Sequence, residues 1–345
     1  MGLTVAVTGP TGELGIPVVS ALERETGVDA VLAMARRPFS PASHNWTKTS
    51  YRQGDVLDRA AVDGLVAEAD VVVHLAFVVF GSHAYSAQVN LEGCRAVFEA
   101  TVAAGRPRRL VFTSSVAAYG YHPDTPVPIV EATPTRGSAE HYYSAQKAAS
   151  ERLLAEVTAG TDLDVHVLRP CIVAGPQATQ IVRLLPWHLA ADRLGDRASG
   201  VASLVGGLVR QVPGAGILRP VLPDPGVTLQ LVHHDDVADA VVASVLGAGP
   251  PGAYNLAGDG TITFGDYVRA VGAVPVPVPH RALSLSSRVL AAVRVAPAWA
   301  EWLHTLRVPM LMDTTRAREQ LGWNPRYSAA ETLAQTVAAT NAGRE

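Results

Sequence analysis

Tyr143-Ser144-Ala145-Gln146-Lys147 sets a phenol and an ammonium four residues apart. On a helix, residues at that spacing share one face. An ammonium beside a phenol favours the phenolate, so Lys147 is expected to lower the pKa of Tyr143. A phenol tuned in this way can pass a proton to or from a substrate oxygen near neutral pH. Of the 28 basic residues only two are lysines, Lys48 and Lys147. A lysine kept in so arginine-rich a chain is expected to serve its chemistry. Upstream, Leu110-Val111-Phe112-Thr113-Ser114-Ser115 is an apolar run that ends in hydroxyls. Ligands bind at the C-terminal ends of strands in open α/β sheets. A serine there can donate to the oxygen that the tyrosine protonates.

A second constellation suits a phosphate. Val7-Thr8-Gly9-Pro10-Thr11-Gly12-Glu13-Leu14-Gly15 follows the first apolar run and opens the first helical segment. Gly9, Gly12 and Gly15 allow a tight turn and close approach of the backbone to a pyrophosphate. The free N–H groups and positive dipole end of the helix then face the anion. The second apolar run ends at Ala33-Met34-Ala35-Arg36-Arg37. An acidic residue there would bind the ribose 2′-hydroxyl of NAD, and none is present. Arg36 and Arg37 suit a 2′-phosphate instead, which favours NADP while leaving NAD possible.

The Gly-x-x-Gly-x-x-Gly spacing resembles the short-chain dehydrogenase/reductase superfamily, in particular its extended branch, the NAD-dependent epimerase/dehydratase-like family. The resemblance implies a Rossmann-type doubly wound parallel sheet with a smaller C-terminal substrate domain. It selects Ser115 as the active serine, four residues before Tyr119 of Tyr119-Gly120, with Ser114 next to it. It implies that Asn90, in Val89-Asn90-Leu91-Glu92-Gly93, supports Lys147 through water. In Gly54-Asp55-Val56-Leu57-Asp58 it places Asp55 and Val56 on the adenine side. It adds Leu75 and Ala76 on the adenosine side, and Thr113, Pro170 and Val173 near the nicotinamide, to the loop residues Thr11, Glu13 and Leu14. Val232-His233-His234-Asp235-Asp236-Val237-Ala238 and Asp313–Trp323 resemble late motifs of the same branch.

The elements that must position these groups are legible as a pattern. Leu3–Val7, Ala30–Ala35, Val71–Leu75, Arg109–Thr113 and Val165–Leu168 are short apolar runs. They alternate with the amphipathic stretches Ile16–Thr26, Leu91–Ala104 and Ser144–Thr158. That alternation predicts βαβ units and a parallel sheet. Thr228–Val232 and Tyr254-Asn255-Leu256 predict later strands, with a helix opening at Asp235-Asp236. Pro275, Pro277 and Pro279 predict an extended linker, and 281–306 an apolar helical stretch with Trp299 and Trp302. The dinucleotide domain is expected over 1–176 plus about 228–257, and the substrate domain over 177–227 and 258–345.

At 345 residues, with 48% hydrophobic and 17% charged residues and a net charge of −3, the chain is long enough for roughly two domains of about 150 residues. That balance excludes a disordered chain and gives no basic stripe for nucleic acid. No apolar run reaches the length of a membrane span. Cys94 and Cys171 cannot frame a disulfide scaffold, and the start lacks a basic n-region, so the cytoplasm is expected. His233-His234-Asp235-Asp236 is read as a helix start rather than a metal site, and no metal is expected. Cys171 is read as a buried small residue. The apolar sets Leu91, Cys94, Val97, Phe98, Val102 and Ala145, Ala148, Ala149, Leu153, Leu154 are wide enough to predict a homodimer.

Three departures bear on the reaction. Dehydratases that this chain resembles carry an acidic pair just after the active Ser/Thr, where this chain has Val116 and Ala117. Sugar-nucleotide enzymes usually carry an Asn midway between Arg169 and Gly175-Pro176, where this chain has Ile172. Residues 177–230 hold few cations for a diphosphate: Arg183, Arg193, Arg197, Arg210 and Arg219. Their Leu, Val, Ala and Gly suit an apolar small-molecule substrate. The expected activity is hydride transfer between nicotinamide and a carbonyl/secondary alcohol carbon, as in the hydroxysteroid dehydrogenases and dihydroflavonol or aldehyde reductases. Alternatives are a sugar-nucleotide epimerase with a transient keto intermediate and a cofactor-binding regulatory protein without turnover. His280–Met312 is read as core packing of the substrate domain or as a lid carrying Trp299 or Trp302.

Overall fold

The computed structural model describes residues 2–183, 185, 219–278 and 306–342. Arg193, Arg197, Arg210, Trp299, Trp302 and nearly all of the expected helix 281–306 lie outside the described residues.

Seven parallel strands form one sheet in the order β3-β2-β1-β4-β5-β6-β11. They are β1 (Leu3–Thr8), β2 (Val28–Ala35), β3 (Thr49–Gln53), β4 (Val71–His74), β5 (Arg109–Thr113), β6 (Asp164–Pro170) and β11 (Gly252–Leu256). Three two-stranded sheets are built from β7 (Ile172–Ala174) with β10 (Leu231–His233), β8 (Val221–Asp224) with β13 (Val274–Pro277), and β9 (Thr228–Leu229) with β12 (Ile262–Thr263). The helices are α1 (Gly15–Arg24), α2 (Arg59–Val66), α3 (His83–Ala87), α4 (Gly93–Ala104), α5 (Tyr142–Thr158), α6 (Gln180–Arg183), α7 (His234–Leu246), α8 (Phe264–Ala270), α9 (Thr315–Leu321) and α10 (Ala329–Ala342).

The large sheet is buried on both faces, which is why its inner strands read as continuous apolar runs. Along β1, Val5 and Val7 join one core with α1 and α7, while Ala6 joins the other with α2, α4 and α5. That split follows the two-residue period of a strand. A third core, with Leu231, Tyr267, Val268 and Leu333, lies under the later elements. Ligand-binding loops cluster where the strand order reverses, between β1 and β4. The glycine-rich turn leaves β1 there, and Leu75-Ala76 leaves β4 beside it.

The structure departs from the expected elements at the edges. β3 is Thr-Ser-Tyr-Arg-Gln, an edge strand with three exposed residues, so it carries no apolar signature. Pro275 and Pro277 lie within β13, paired to β8, rather than in a linker. Proline is tolerated at an edge because a donor is not required on its free side. The helix expected to open at Asp235-Asp236 opens at His234, and His233 caps it by accepting from Asp235 N–H at 3.2 Å. Asp236 is buried and instead accepts from the N–H groups of Arg326 and Tyr327 at 2.9 and 3.2 Å. The apolar faces of α4 and α5 are largely used within the chain. Cys94, Val97, Phe98, Leu153 and Leu154 are all buried in the second core.

One buried network ties the site-bearing elements together. Arg169 of β6 donates to both carboxylate oxygens of Glu151 on α5, at 3.0 and 2.6 Å. Its remaining donors reach Tyr119 Oη at 2.8 Å and the Glu131 carbonyl at 3.1 Å. Tyr119 donates to Asn255 of β11 at 2.7 Å, and Ser114 donates to Glu151 at 2.5 Å. The network joins the segment after β5 to β6, β11 and α5.

Candidate active site

α5 begins at Tyr142 and is capped by buried His141, whose Nδ1 accepts from Ser144 N–H at 3.3 Å. Tyr143 and Lys147 therefore fall on adjacent turns of one helix. Ser144 fixes the helix start by donating to the Ala117 carbonyl at 2.6 Å and accepting from Ser138 N–H at 2.9 Å. This seats α5 on the turn that follows β5.

Ser115 leaves β5 in an extended conformation, with its hydroxyl accepting from Ala117 N–H at 3.2 Å. The Ser115 side chain also reaches Tyr143, where it works to lower the pKa of the phenol. Ser114 is committed to Glu151, so of the two neighbouring serines it is Ser115 that meets the phenol. Lys147 is buried and donates to the Thr113 carbonyl at 2.8 Å. Its Nζ lies 5.8 Å from the centre of the Tyr143 ring. Ser115, Tyr143 and Lys147 thus stand together at the end of β5.

The electrostatics differ from the expected lowering of the tyrosine pKa. Burial pushes Tyr143 up to about 12, against the opposing hydrogen bond from Ser115. Burial pushes Lys147 down to about 7, despite the Cys94 and Glu151 groups that oppose the shift. Desolvation prevails because both groups are sheltered from bulk water, which penalises the phenolate and the ammonium alike. In the chain alone Tyr143 is therefore a held proton donor.

Asn90 does not touch Lys147 directly. It lies in a π-helical turn at Gln88–Glu92, a local feature often found at functional sites. Its amide accepts from Val78 N–H at 2.7 Å and donates to the Val78 carbonyl at 2.9 Å and to Gln146 Oε1 at 2.7 Å. Fully buried, it pins the loop after β4 to the helix that carries Lys147.

The dinucleotide residues fit a bound pyrophosphate. Gly9 has φ +77°, and a Cβ there would stand 2.8 Å from Ala76 N. A Cβ on Gly15 would stand 2.1 Å from Gly9 O. These two glycines are demanded by the chain's own packing. Gly12 is exposed, and its Cβ would come no closer than 3.6 Å to Gly9 O. The absent side chain there leaves room over the first turn of α1, next to Thr11 and Leu14. Buried Thr113 Oγ1 has no hydrogen-bond partner among the described residues, an open valence at the end of β5.

Arg36 and Arg37 are exposed just past β2, with Arg36 5.5 Å from the centre of the Tyr85 ring. Asp55 accepts from Leu57 N–H at 3.1 Å, while Asp58 caps α2, so the two carboxylates divide the work. Val56 is buried against Gly93. Leu75 N–H donates to Thr8 O at 3.1 Å, which sets Leu75 and Ala76 beside the glycine-rich turn. Pro170 closes β6, and Val173 pairs with Val232 on the next strand. Glu13 differs in role from its loop neighbours. Its carboxylate accepts from Thr179 and Gln180 N–H at 3.0 and 3.1 Å, and burial raises its pKa.

His233, His234 and Asp235 bring ligand-type atoms within 4.8 Å of one another. His234 spends both ring nitrogens, Nδ1 on Asp235 at 2.9 Å and Nε2 on Gln177 N–H at 3.1 Å. His233 Nδ1 caps α7. A metal at His234 would have to displace one of its two bonds, while His233 Nε2 has no hydrogen-bond partner among the described residues. Cys171 is buried, which pushes its thiol pKa up. Two features were not visible in the sequence. Phe77 packs on Lys147, and Glu151 pairs with Arg169. No motif or period marks either one.

Comparison with known proteins identifies the class. The profile of the NAD dependent epimerase/dehydratase family matches residues 5–257. The chain belongs to that family, the extended type of short-chain dehydrogenase/reductase. It is 29% identical to a UDP-glucose 4-epimerase of Mycolicibacterium smegmatis over 351 residues, covering 96% of each chain. It is 24% identical to an uncharacterized protein of Mycobacterium tuberculosis, covering 95% of this chain and 81% of that one. Among solved structures it resembles a UDP-glucose 4-epimerase of Thermotoga maritima with UDP-glucose, with TM-score 0.71, 20% identity and coverage of 99% and 100%. It also resembles a dTDP-glucose 4,6-dehydratase of Streptomyces venezuelae with NAD, with TM-score 0.70, 22% identity and coverage of 99% and 98%. Among the described residues no helix is long and apolar enough to cross a membrane.

Lys147 sits below its ordinary value of 10.5 in the folded chain. Between about pH 7 and 10.5 the unfolded chain binds a proton that the folded chain does not. The cost of burying the ammonium is therefore complete below pH 7 and fades as pH rises through that window. Lys147→Met is expected to stabilise the fold by about 1–2 kcal/mol at pH 6 and by little at pH 10. Urea unfolding at the two pH values checks this, and a variant less stable than the parent at both would refute it.

Proposed function

We propose that the chain catalyses NAD(P)-dependent hydride transfer at a carbonyl/secondary alcohol carbon of a largely apolar small molecule. The observation that carries this reading is the meeting of Ser115 and Tyr143 at the end of β5, with Lys147 on the next turn of the same helix. Gly9, Gly12, Gly15, Thr113, Pro170 and Val173 would hold the cofactor, and bound nicotinamide supplies the hydride chemistry. Tyr143 holds a proton on its phenolic oxygen and gives it to, or takes it from, the substrate oxygen. Ser115 orients that oxygen through its hydroxyl. Lys147, whose Nζ lies 5.8 Å from the centre of the Tyr143 ring, supplies positive charge that favours the phenolate when the proton leaves. In the chain-alone state the raised Tyr143 pKa suits proton donation, the direction of carbonyl reduction. Val116 and Ala117 are buried and cannot carry protons, which weighs against a dehydratase.

A second reading, a sugar-nucleotide epimerase, is favoured by the likeness to the M. smegmatis enzyme over 96% of both chains. An epimerase passes hydride out and back, so it shows no net redox change. The division into a dinucleotide domain and a substrate domain at the sequence-based boundaries belongs to the same proposal, as does a reducing cytoplasmic setting for the two buried cysteines.

A panel of hydrophobic ketones and alcohols, read by absorbance of the reduced cofactor, is expected to show turnover. Tyr143→Phe is expected to lower it on the order of 10²-fold or more while leaving cofactor binding nearly intact. Full activity in Tyr143→Phe would remove the acid–base assignment. Turnover of nucleoside diphosphate sugars without net redox change would establish the epimerase reading instead.

Arg36 and Arg37 carry the preference for NADP over NAD. Replacing both with Ala is expected to weaken NADPH much more than NADH. Each charge-assisted bond to a phosphate contributes roughly 1.5–3 kcal/mol. Equal losses for both cofactors in fluorescence titration would assign the pair to the solvated surface.

The homodimer retains a narrower basis than the two apolar faces. A groove of about 250 Å³ lies between α4 and α5, lined by Leu91, Ala149 and Leu153 and rimmed by Glu92, Arg95, Arg152 and Glu156. Its rim carries both signs of charge, which a twofold contact could pair. Light scattering is expected to give a dimer, and a monomer at micromolar concentration would exclude it.

A further inference from the structure

Lys147 is 3% exposed, and among the described residues no carboxylate forms an ion pair or hydrogen bond with it. The groups that face it can be named element by element. On α4, burial pushes the Cys94 thiol up to about 11, so it is neutral. On β4, burial pushes His74 down to about 3, so it too is neutral. On α5, the Glu151 carboxylate is spent on Arg169 and Ser114, and Tyr143 is a protonated phenol. β5 offers one carbonyl, that of Thr113. Aromatic faces complete the enclosure. The Phe77 ring centre lies 3.5 Å from Nζ, the Phe112 centre 5.1 Å and the Tyr143 centre 5.8 Å. Phe77 also meets Tyr143 edge-to-face at 5.7 Å and 90°.

We propose that Phe77 is a positioning residue for this site: its ring face is the main counter-charge that keeps Lys147 protonated and aimed between Thr113 and Tyr143. The negative face of a benzene ring attracts an ammonium, and the attraction is strongest where water is excluded. At 3.5 Å the contact is much closer than the roughly 6 Å at which such pairs begin to count. The backbone just after Phe77 is anchored twice. Asn90 pairs with the N–H and carbonyl of Val78, and Tyr142 donates to the Val79 carbonyl at 2.6 Å. The loop is therefore built to hold this ring in place. The role given to buried Asn90 follows from the same geometry: it supports Lys147 through the Val78 backbone and the ring of Phe77. The inference rests on the reading of Lys147 as the group that tunes Tyr143.

The arginine-rich composition makes the test direct. Only Lys48 and Lys147 contribute lysine signals. Lys48, whose Nζ donates to the Glu25 carbonyl, is removed by Lys48→Arg. In lysine-labelled full-length protein without cofactor, the Lys147 side-chain resonance is followed through pH. Phe77→Leu keeps an apolar wall but loses the ring face, and its Lys147 midpoint is expected to fall by about 0.5–1.5 units. Stepwise fluorinated phenylalanines at position 77 keep the shape of the ring and weaken its negative face. They are expected to lower the midpoint progressively, and they serve if the leucine variant fails to fold. A midpoint indifferent to fluorination would overturn the proposal. Because the readout uses no substrate, failure of the hydride-transfer reading would leave it standing, and the reverse also holds.

Discussion

The site rests on one buried ion pair. Arg169 and Glu151 are both nearly excluded from solvent and bonded through two N–H···O contacts. A pair of this kind recovers its desolvation cost only when its geometry is good and every remaining donor and acceptor is used. Here Arg169 spends its other donors on Tyr119 and the Glu131 carbonyl, and Ser114 completes Glu151. The pair joins the helix bearing Tyr143 and Lys147 to the strand that precedes Cys171–Ala174. Ser114 extends it to the residue beside Ser115. A single arrangement satisfies all of these groups together, which is how a polar network specifies geometry where an apolar core would specify only volume.

The same economy decides the charge state of the centre. Committing Glu151 to Arg169 denies Lys147 a full carboxylate partner. The lysine then depends on one carbonyl and on aromatic faces, and burial brings it to about 7. A lysine paired with a carboxylate would stay charged but would give most of its field to that partner. An ammonium held by rings and one carbonyl leaves its field for the phenol. The cost is a destabilised folded chain, and sites of chemistry commonly carry such a cost.

How much of this could be read beforehand divides along physical lines. The glycine-rich turn, the Tyr143–Lys147 spacing and the inner strands were legible because local sterics and two-sided burial leave strong patterns. The edge strand Thr49–Gln53 was not legible, since a half-solvated edge needs no apolar run. The start of α7 differs from the expected Asp235-Asp236: buried Asp236 accepts from the N–H groups of Arg326 and Tyr327, and His233 caps the helix. The expected fall of the Tyr143 pKa considered the neighbouring charge and could not weigh burial, which depends on the whole fold. Phe77 and Glu151 carried no signal because their partners are 70 and 18 positions away in the chain.

Glu13 shows why a motif residue can serve a different purpose from its neighbours. It sits in the glycine-rich turn between Gly12 and Gly15, where a carboxylate facing a phosphate would repel it. The structure turns that carboxylate away, onto the N–H groups of Thr179 and Gln180 at the start of α6. Those are donors that a helix start leaves without intrahelical partners, and a negative charge is favoured there. The bond links the turn after β1 to the segment after β7, elements separated by more than 160 residues. Gly175, with φ +130° and His233 and His234 packed against it, shapes the same segment from the other side. A shift of the glycine-rich turn must therefore move or break the Glu13 contact. The glycine-rich turn and the start of α6 are in this way mechanically one unit, although nothing in their sequences pairs them.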